Sequence, residues 1–182
     1  MKDLILTTSG LRIADKILPC VVGRNGITSF KREGDKKTPS GKHQIVGMLY
    51  RPDRIKRPRS WALPIRPRYI WSDDIKDPDY NLMGNTPTLF RYERLFRPDH
   101  LYDIVILTNW NWPYAVKGRG SAIFIHSWRK KGHPTEGCIA LSKDNLLKIA
   151  KFIDFGSRLI IPETLHAHQR WPNRHVYGLP QN

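Results

Sequence analysis

The apolar residues of this chain fall in short runs, each closed by glycine, proline or a polar turn, and this spacing constrains the fold more than any other feature. Short runs rich in β-branched residues suit strands, whereas a helix needs apolar residues recurring every three or four positions over a longer window. Residues 4–8, 11–14 and 18–22 read as short antiparallel strands punctuated by Gly10 and Pro19, and Gly23-Arg24-Asn25-Gly26 as a turn. The polar stretch from Lys31 to Gly41 is loop, and His43 to Leu49 is a further strand. Ile104-Val105-Ile106-Leu107 and Ala122-Ile123-Phe124-Ile125 are continuous apolar runs, the pattern of central strands covered on both faces. One stretch differs: Ser142 caps a helix from Lys143 to Phe152 with the stripe Leu146, Ile149, Ala150 and Ile153, and Gly156 stops it. Arg158 to Ile161 returns as a strand, while residues 82–101 read as loop with a short helical piece at 92–96. The expected fold is mainly β, a mixed sheet folded over itself in a sandwich-like way, with one or few short helices. Residues 104–107, 122–126 and 158–161 are expected as neighbouring strands with the 143–152 helix against them.

A length of 182 residues predicts one domain, with its core over about residues 20–162. With 40% hydrophobic and 26% charged residues, disorder is excluded as the main state. The net charge of +15 favours an anionic partner: nucleic acid, an acidic polymer or a carboxylate-rich substrate. Residues 51–68 concentrate that charge, with Arg51, Arg54, Lys56, Arg57, Arg59, Arg66 and Arg68 against Asp53. Four prolines forbid a long helix there, so the stretch reads as an extended basic loop able to steer anions if it flanks a cleft. No apolar run approaches the roughly 18 residues of a membrane span. The start, Met1-Lys2-Asp3-Leu4-Ile5-Leu6, lacks the apolar core of a secretory signal. Two cysteines, Cys20 and Cys138, are too few for a disulfide framework or a four-thiolate zinc site.

The reactive residues gather in one segment. Ile123-Phe124-Ile125 delivers His126 at a strand end, Ser127 follows, and after a basic loop Pro134-Thr135-Glu136-Gly137 presents Cys138. Cysteine attacks as the thiolate, and a neighbouring imidazole is expected to lower its pKa. The N–H groups of Gly137 and Cys138 can face an oxyanion, because glycine permits close backbone approach. Cys20, in Leu18-Pro19-Cys20-Val21-Val22, reads as a buried small hydrophobe. Three rival readings stand beside catalysis. The basic, Trp-containing sequence suits a single-strand nucleic-acid binder, although no nucleic-acid motif appears. His126, His133 and Cys138 could ligate zinc, although their spacing matches no zinc motif. A cell-wall binding module without catalysis is the third.

The segment resembles the YkuD-type L,D-transpeptidases of bacterial peptidoglycan. That family carries His-Gly/Ser at a strand end, then Ser/Thr-x-Gly-Cys and an apolar residue; His126-Ser127 and Thr135-Glu136-Gly137-Cys138-Ile139 are similar. Arg32-Glu33-Gly34-Asp35 with Thr38-Pro39-x-Gly41 resembles the family's early Thr-Pro-x-Gly element, and Tyr80-Asn81 and Leu101-Tyr102-Asp103 resemble elements of one branch. Glu136 stands where the common signature has His, Ala140 where it has Arg or Asn, and the gap from His126 to Cys138 is short. The Thr-Glu-Gly-Cys form is similar to a branch that cleaves between L-Ala and diaminopimelate and makes 1,3 rather than 3,3 crosslinks.

The resemblance implies an acyltransferase that crosslinks stem peptides through a thioester on Cys138, with no metal or organic cofactor. His126 would be the base, the Ser127 carbonyl its orienter, and the Gly137 and Cys138 amides the oxyanion donors. Transfer to water would make it a carboxypeptidase or endopeptidase instead. Thr135, Glu136, Trp128, His133 and Arg129 are the candidate substrate-binding residues, with Glu136 able to pair with Arg129 or Lys130 and Trp110 and Trp112 able to extend an aromatic wall. Partners implied are peptidoglycan stems and, as covalent ligands, carbapenems. The substrate implies the periplasm or cell envelope, with the cytoplasm as the alternative.

Overall fold

Strand alternation sorts the side chains of this protein into two cores. The computed structural model describes residues 2–165 and the strand Val176–Tyr177. His166, His168 and His175 lie outside the described residues. The chain opens with strands β1 (Asp3–Thr7), β2 (Gly10–Ile13), β3 (Lys16–Leu18) and β4 (Cys20–Val21). Next come β5 (Ile27–Thr28), β6 (Thr38–Pro39), β7 (Gly41–Tyr50), β8 (Leu63–Pro64), β9 (Tyr69–Ser72), β10 (Met83–Asn85) and β11 (Tyr92–Arg94). The second half contains β12 (Ile104–Thr108), β13 (Phe124–Ser127), β14 (Ile139–Leu141), helix α1 (Lys143–Phe152), β15 (Arg158–Ile161) and β16 (Val176–Tyr177).

The main sheet runs β16-β4-β14-β13-β12-β7-β15-β1-β2-β3, with β8 beside β7. It is mixed: β13 pairs β14 in parallel, β1 pairs β15 in parallel, and β12 pairs both β7 and β13 antiparallel. A smaller sheet, β10-β9-β11, covers part of one face. The continuous apolar runs follow from burial on both faces. Ile104, Ile106 and Ile125 enter a core that includes Leu146, Ile149, Ala150 and Ile153 of the helix region. Between them, Val105 and Phe124 point to the other face and pack with Trp71, Leu95 and Tyr102. Trp71 meets Phe124 edge-to-face, with ring centroids 4.9 Å apart. The architecture is therefore mainly β with a mixed sheet and one α-helix among the described residues.

Helix α1 has the bounds its sequence predicts, and the Ser142 side chain accepts a hydrogen bond from the Asn145 amide. Three expectations need correction. β12 and β13 are neighbours, but β7 separates β12 from β15, because the long β7 strand supplies pairing edges to both. The helical piece expected at 92–96 is instead strand β11, whose Tyr92, Glu93 and Arg94 pair with Ser72, Trp71 and Ile70. A partner edge offered by β9 outweighs the weak helical preference of so short a segment.

The third correction concerns the basic stretch 51–68. Most of its arginines are tied to the protein. Arg51 is buried, pairs with Asp53 and donates to the Arg97 carbonyl. Arg54 donates to Asp103 and to the Pro98 and Asp99 carbonyls. Arg57 donates to the Ala62 carbonyl, and Arg59 to Asp154 and the Lys151 carbonyl. The stretch also contributes β8, paired in parallel with β7. Prolines exclude a helix, but guanidinium groups find carbonyls and carboxylates to cap, so the loop is fastened to the protein while Lys56, Arg57, Arg66 and Arg68 stay exposed.

Candidate active site

β13 carries His126 to the edge of the second core. Its Nδ1 lies 2.7 Å from the Ser127 carbonyl oxygen. A carbonyl only accepts, so in the neutral ring Nδ1 holds the proton and Nε2 the lone pair. The ring is 8% exposed and sits edge-to-face on Tyr102, with centroids 5.2 Å apart.

Cys138 reaches the same cleft from the turn before β14. The turn is held from several sides. The Thr135 hydroxyl donates to the Cys138 carbonyl at 2.6 Å and accepts from the Gly137 N–H at 3.1 Å. The Thr38 hydroxyl donates to the Gly137 carbonyl at 2.7 Å and accepts from the Gly23 N–H at 2.8 Å. Gly137 has φ +149, and a Cβ there would lie 3.0 Å from the Lys37 carbonyl oxygen and 3.2 Å from Ile123 Cδ1, so glycine alone fits. The Gly137 N–H, expected to face an oxyanion, donates to the Thr135 hydroxyl in this structure.

The Cys138 thiol donates to the Ala122 carbonyl at 3.0 Å, and its sulfur accepts from the Phe124 N–H at 3.4 Å. Ala122 has φ 51, a conformation rare for a residue with a Cβ, and the buried Asn81 side chain holds it there by accepting from its N–H. The same Asn81 accepts from Trp71 Nε1 and donates to the carbonyls of Trp110 and Asn111. Tyr80 donates to Glu33, which also accepts from Ser121. Two segments far upstream of the cysteine thus set the carbonyl that meets its thiol.

Electrostatics run against the expected lowering of the cysteine pKa by a neighbouring imidazole. Burial pushes the Cys138 thiol up to about 12, with the Phe124 N–H opposing and Glu93 reinforcing the rise. Burial pulls His126 down to about 4, against the contact with the Ser127 carbonyl. The resting pair is neutral thiol and neutral imidazole. Burial is the largest influence on each group and disfavours the charged form of each.

The cleft has a volume of about 330 Å³ and takes in Cys138, His126, Thr135, Glu136, Trp128, His133 and Arg129 among its lining. Ser127 and Gly137 contribute backbone behind it. Glu136 pairs with Arg24 and Lys36 rather than with Arg129 or Lys130, since the Gly23–Thr135 bridge brings the early turn alongside. The Thr135 hydroxyl is occupied within the turn. Trp110 and Trp112 do not line the cleft: Trp110 packs on His43 and Arg119, and Trp112 is 39% exposed elsewhere.

Sequence reading missed Arg24, Glu93, Arg97, Leu101 and Tyr102, which line the cleft. Glu93 accepts from the Tyr102 hydroxyl, and burial raises its pKa. Arg97 is anchored on Asp99 by two hydrogen bonds and lies over the Tyr102 ring. The tripeptide Leu101-Tyr102-Asp103, noted for its resemblance, was the available signal for part of this wall. Among the described residues, no group of three or more His, Cys, Asp or Glu is placed to hold a metal ion.

A half-buried thiol, a tautomer-fixed imidazole and a held backbone turn at one cleft suit acyl transfer through cysteine. No curated protein sequence matches the chain. Among solved structures, an L,D-transpeptidase from Mycobacterium smegmatis aligns with a TM-score of 0.41 and 14% identity, over 88% of this chain and 59% of that one. The chain therefore spans 59% of that protein's length. The model of the L,D-transpeptidase catalytic domain, YkuD, matches residues 6–161, a span that includes His126, Ser127, Gly137 and Cys138, and the chain belongs to that family.

Proposed function

We propose that this protein is an L,D-transpeptidase that crosslinks peptidoglycan stem peptides through a thioester on Cys138. The observation that carries this reading is the shared cleft of Cys138 and His126, with Nδ1 of the imidazole held by the Ser127 carbonyl. Nε2 takes the thiol proton as Sγ attacks the donor's peptide carbonyl. The oxyanion meets the Cys138 N–H. Collapse breaks the peptide C–N bond, and the leaving amine receives the proton from Nε2. An amine of a second stem then attacks the thioester carbonyl, gives its proton to Nε2, and releases the thiolate, which is reprotonated. Starting from a neutral pair, proton transfer accompanies attack, so no buried ion pair has to persist between turnovers.

The family resemblance supports the cell envelope as the place of action. The Thr135-Glu136-Gly137-Cys138 form supports 1,3 crosslinks, with 3,3 crosslinks and hydrolysis as the other products of the same acyl-enzyme. The test is incubation with purified muropeptides, with products read by mass spectrometry, alongside intact-mass detection of a carbapenem adduct. Crosslinked dimers and an adduct lost in Cys138→Ala are expected. Trimmed monomers alone would make the enzyme a carboxypeptidase, and no product with no adduct would overturn the reading.

A further inference from the structure

Successive side chains of a strand point to opposite faces, and β13 ends by using both. His126 enters the cleft described above. Ser127 lines a second cavity of about 430 Å³, with Asp99, His100, Leu101, Trp128, Arg129, Lys130 and Lys143. Leu101, Trp128 and Arg129 are shared by the two, so they form the wall between them. Ser127 is 4% exposed, and its Oγ has no hydrogen-bond partner. An unpaired buried hydroxyl costs free energy unless something outside the chain satisfies it.

The charges around this hydroxyl are not equivalent. Asp99 is held by Arg97 through two hydrogen bonds. Lys143 and His100 are both spent on Asp103, which Arg54 also pairs. Lys130 forms no salt bridge among the described residues. Neither does Arg129, although it is near enough to help lower the pKa of Asp99. One hydroxyl and two uncommitted cations make a donor set for a small anion. The Asp99 carboxylate in the same lining disfavours a dianion and suits a monoanion.

We propose that this second cavity is a peptide-carboxylate site, with Ser127 Oγ, Arg129 and Lys130 as its donors. That the carboxylate belongs to the amine-bearing second stem rests on the transpeptidase reading. A site one wall away from Cys138 binds a part of the substrate that does not react, and its binding energy positions the part that does.

The test uses N-acetylglycine as the carboxylate probe, N-acetylglycinamide as its neutral twin, and inorganic phosphate as a competing anion. Amide and indole N–H resonances of the full-length protein are followed by two-dimensional NMR. N-acetylglycine should saturably shift Ser127, Lys130 and the Trp128 indole, and the amide twin should not. Lys130→Glu should weaken that binding about tenfold, the worth of one charge-assisted hydrogen bond, without changing the melting temperature. Equal shifts from the amide twin, tighter binding of phosphate, or no effect of Lys130→Glu would each overturn the proposal. Carbapenem labelling of Cys138 on the same samples separates the two readings. Labelling without probe binding removes the carboxylate site and leaves the transpeptidase, and probe binding without labelling does the reverse.

Discussion

Cys138 combines features that rarely meet in one residue: it faces a cleft, yet its thiol is held up at about 12 by burial and gives its hydrogen to the Ala122 carbonyl. A thiol poised as an ion pair would alkylate fast at neutral pH. Here iodoacetamide labelling of Cys138 is expected to be slow at pH 7 and to climb about tenfold per pH unit through the range 8–10. A plateau below pH 7 would show a resting thiolate and refute the neutral pair. Cys20, fully buried, should stay unlabelled until the protein unfolds. The second expectation at this scale concerns Thr38, whose hydroxyl serves both Gly23 and Gly137. A trans peptide points its N–H opposite its carbonyl, so the hydroxyl that fixes the Gly137 carbonyl also aims the Cys138 N–H. Thr38→Val should cost about 2 kcal/mol for the orphaned backbone groups, and slow acylation more than it weakens binding, with Thr38→Ser restoring both. Equal acylation by Thr38→Val and wild type would remove this positioning role. His126, Gly137 and Cys138 were legible because they are close in sequence and chemically marked. Asn81 was marked only through the Tyr80-Asn81 resemblance, and Glu93 and Arg97 not at all, since they reach the site through tertiary packing that no local spacing encodes.

Among the elements, helix α1 was the most legible, because its cap and its apolar stripe agree on one register. The continuous runs of β12 and β13 also declared their burial on two faces. The order of strands did not follow, since β7 pairs with both β12 and β15 and nothing local marks its two edges. The basic stretch 51–68 was misread for a related reason: counting charge says where cations are, not what they touch. Asp103 explains much of it. Burial raises its pKa, but Arg54, Lys143 and His100 outweigh that and hold it below the ordinary carboxylate value. Arg54 also caps two carbonyls of the 97–103 segment that carries Leu101 and Tyr102 to the cleft. Arg54→Ala should therefore destabilise the fold by about 3 kcal/mol, as when one partner leaves a buried pair. Thermal melts check this directly. The steering role expected of Arg57 and Arg59 gives way to a structural one: their charge reversal should lower the melting temperature while the salt dependence of muropeptide turnover keeps its wild-type slope. A flattened salt slope with unchanged stability would restore the steering role.

At the scale of the whole molecule, the same burial that shapes the site sets a pH window for stability. His126 titrates near 4 in the folded protein against an ordinary value of 6.5. Between those values the unfolded chain binds a proton that the folded one refuses, so stability falls as pH drops from 6.5 toward 4. Burial lowers His43 as well, adding to the same limb. For His126 alone the upper bound is about 3 kcal/mol. The opposite limb begins with the cysteines, and above pH 10 Tyr80 and Tyr102, which burial also raises, add to it. Cys20 and Cys138 are both raised by burial from 9.0 to about 12, so the folded protein keeps protons that the unfolded chain releases, and stability falls as pH rises from 9 toward 12. Carboxylates held low by arginines, such as Asp3 beside Arg158, lose their contribution only below their ordinary 3.8, outside both limbs. A plateau between about pH 6.5 and 9 follows from these linked protons. Melting temperatures measured from pH 4 to 11 should trace it. The net charge of +15 also strains the folded state increasingly as histidines protonate, so the acid limb needs a variant to assign it. His126→Gln removes the titrating group while its amide can still donate to the Ser127 carbonyl. It should lose a large part of the acid limb and keep the alkaline one, whereas Cys20→Ala should reduce the alkaline limb and keep the acid one. An acid limb unchanged in His126→Gln would mean that His126 titrates normally in the folded protein, and the neutral resting pair would fall with it.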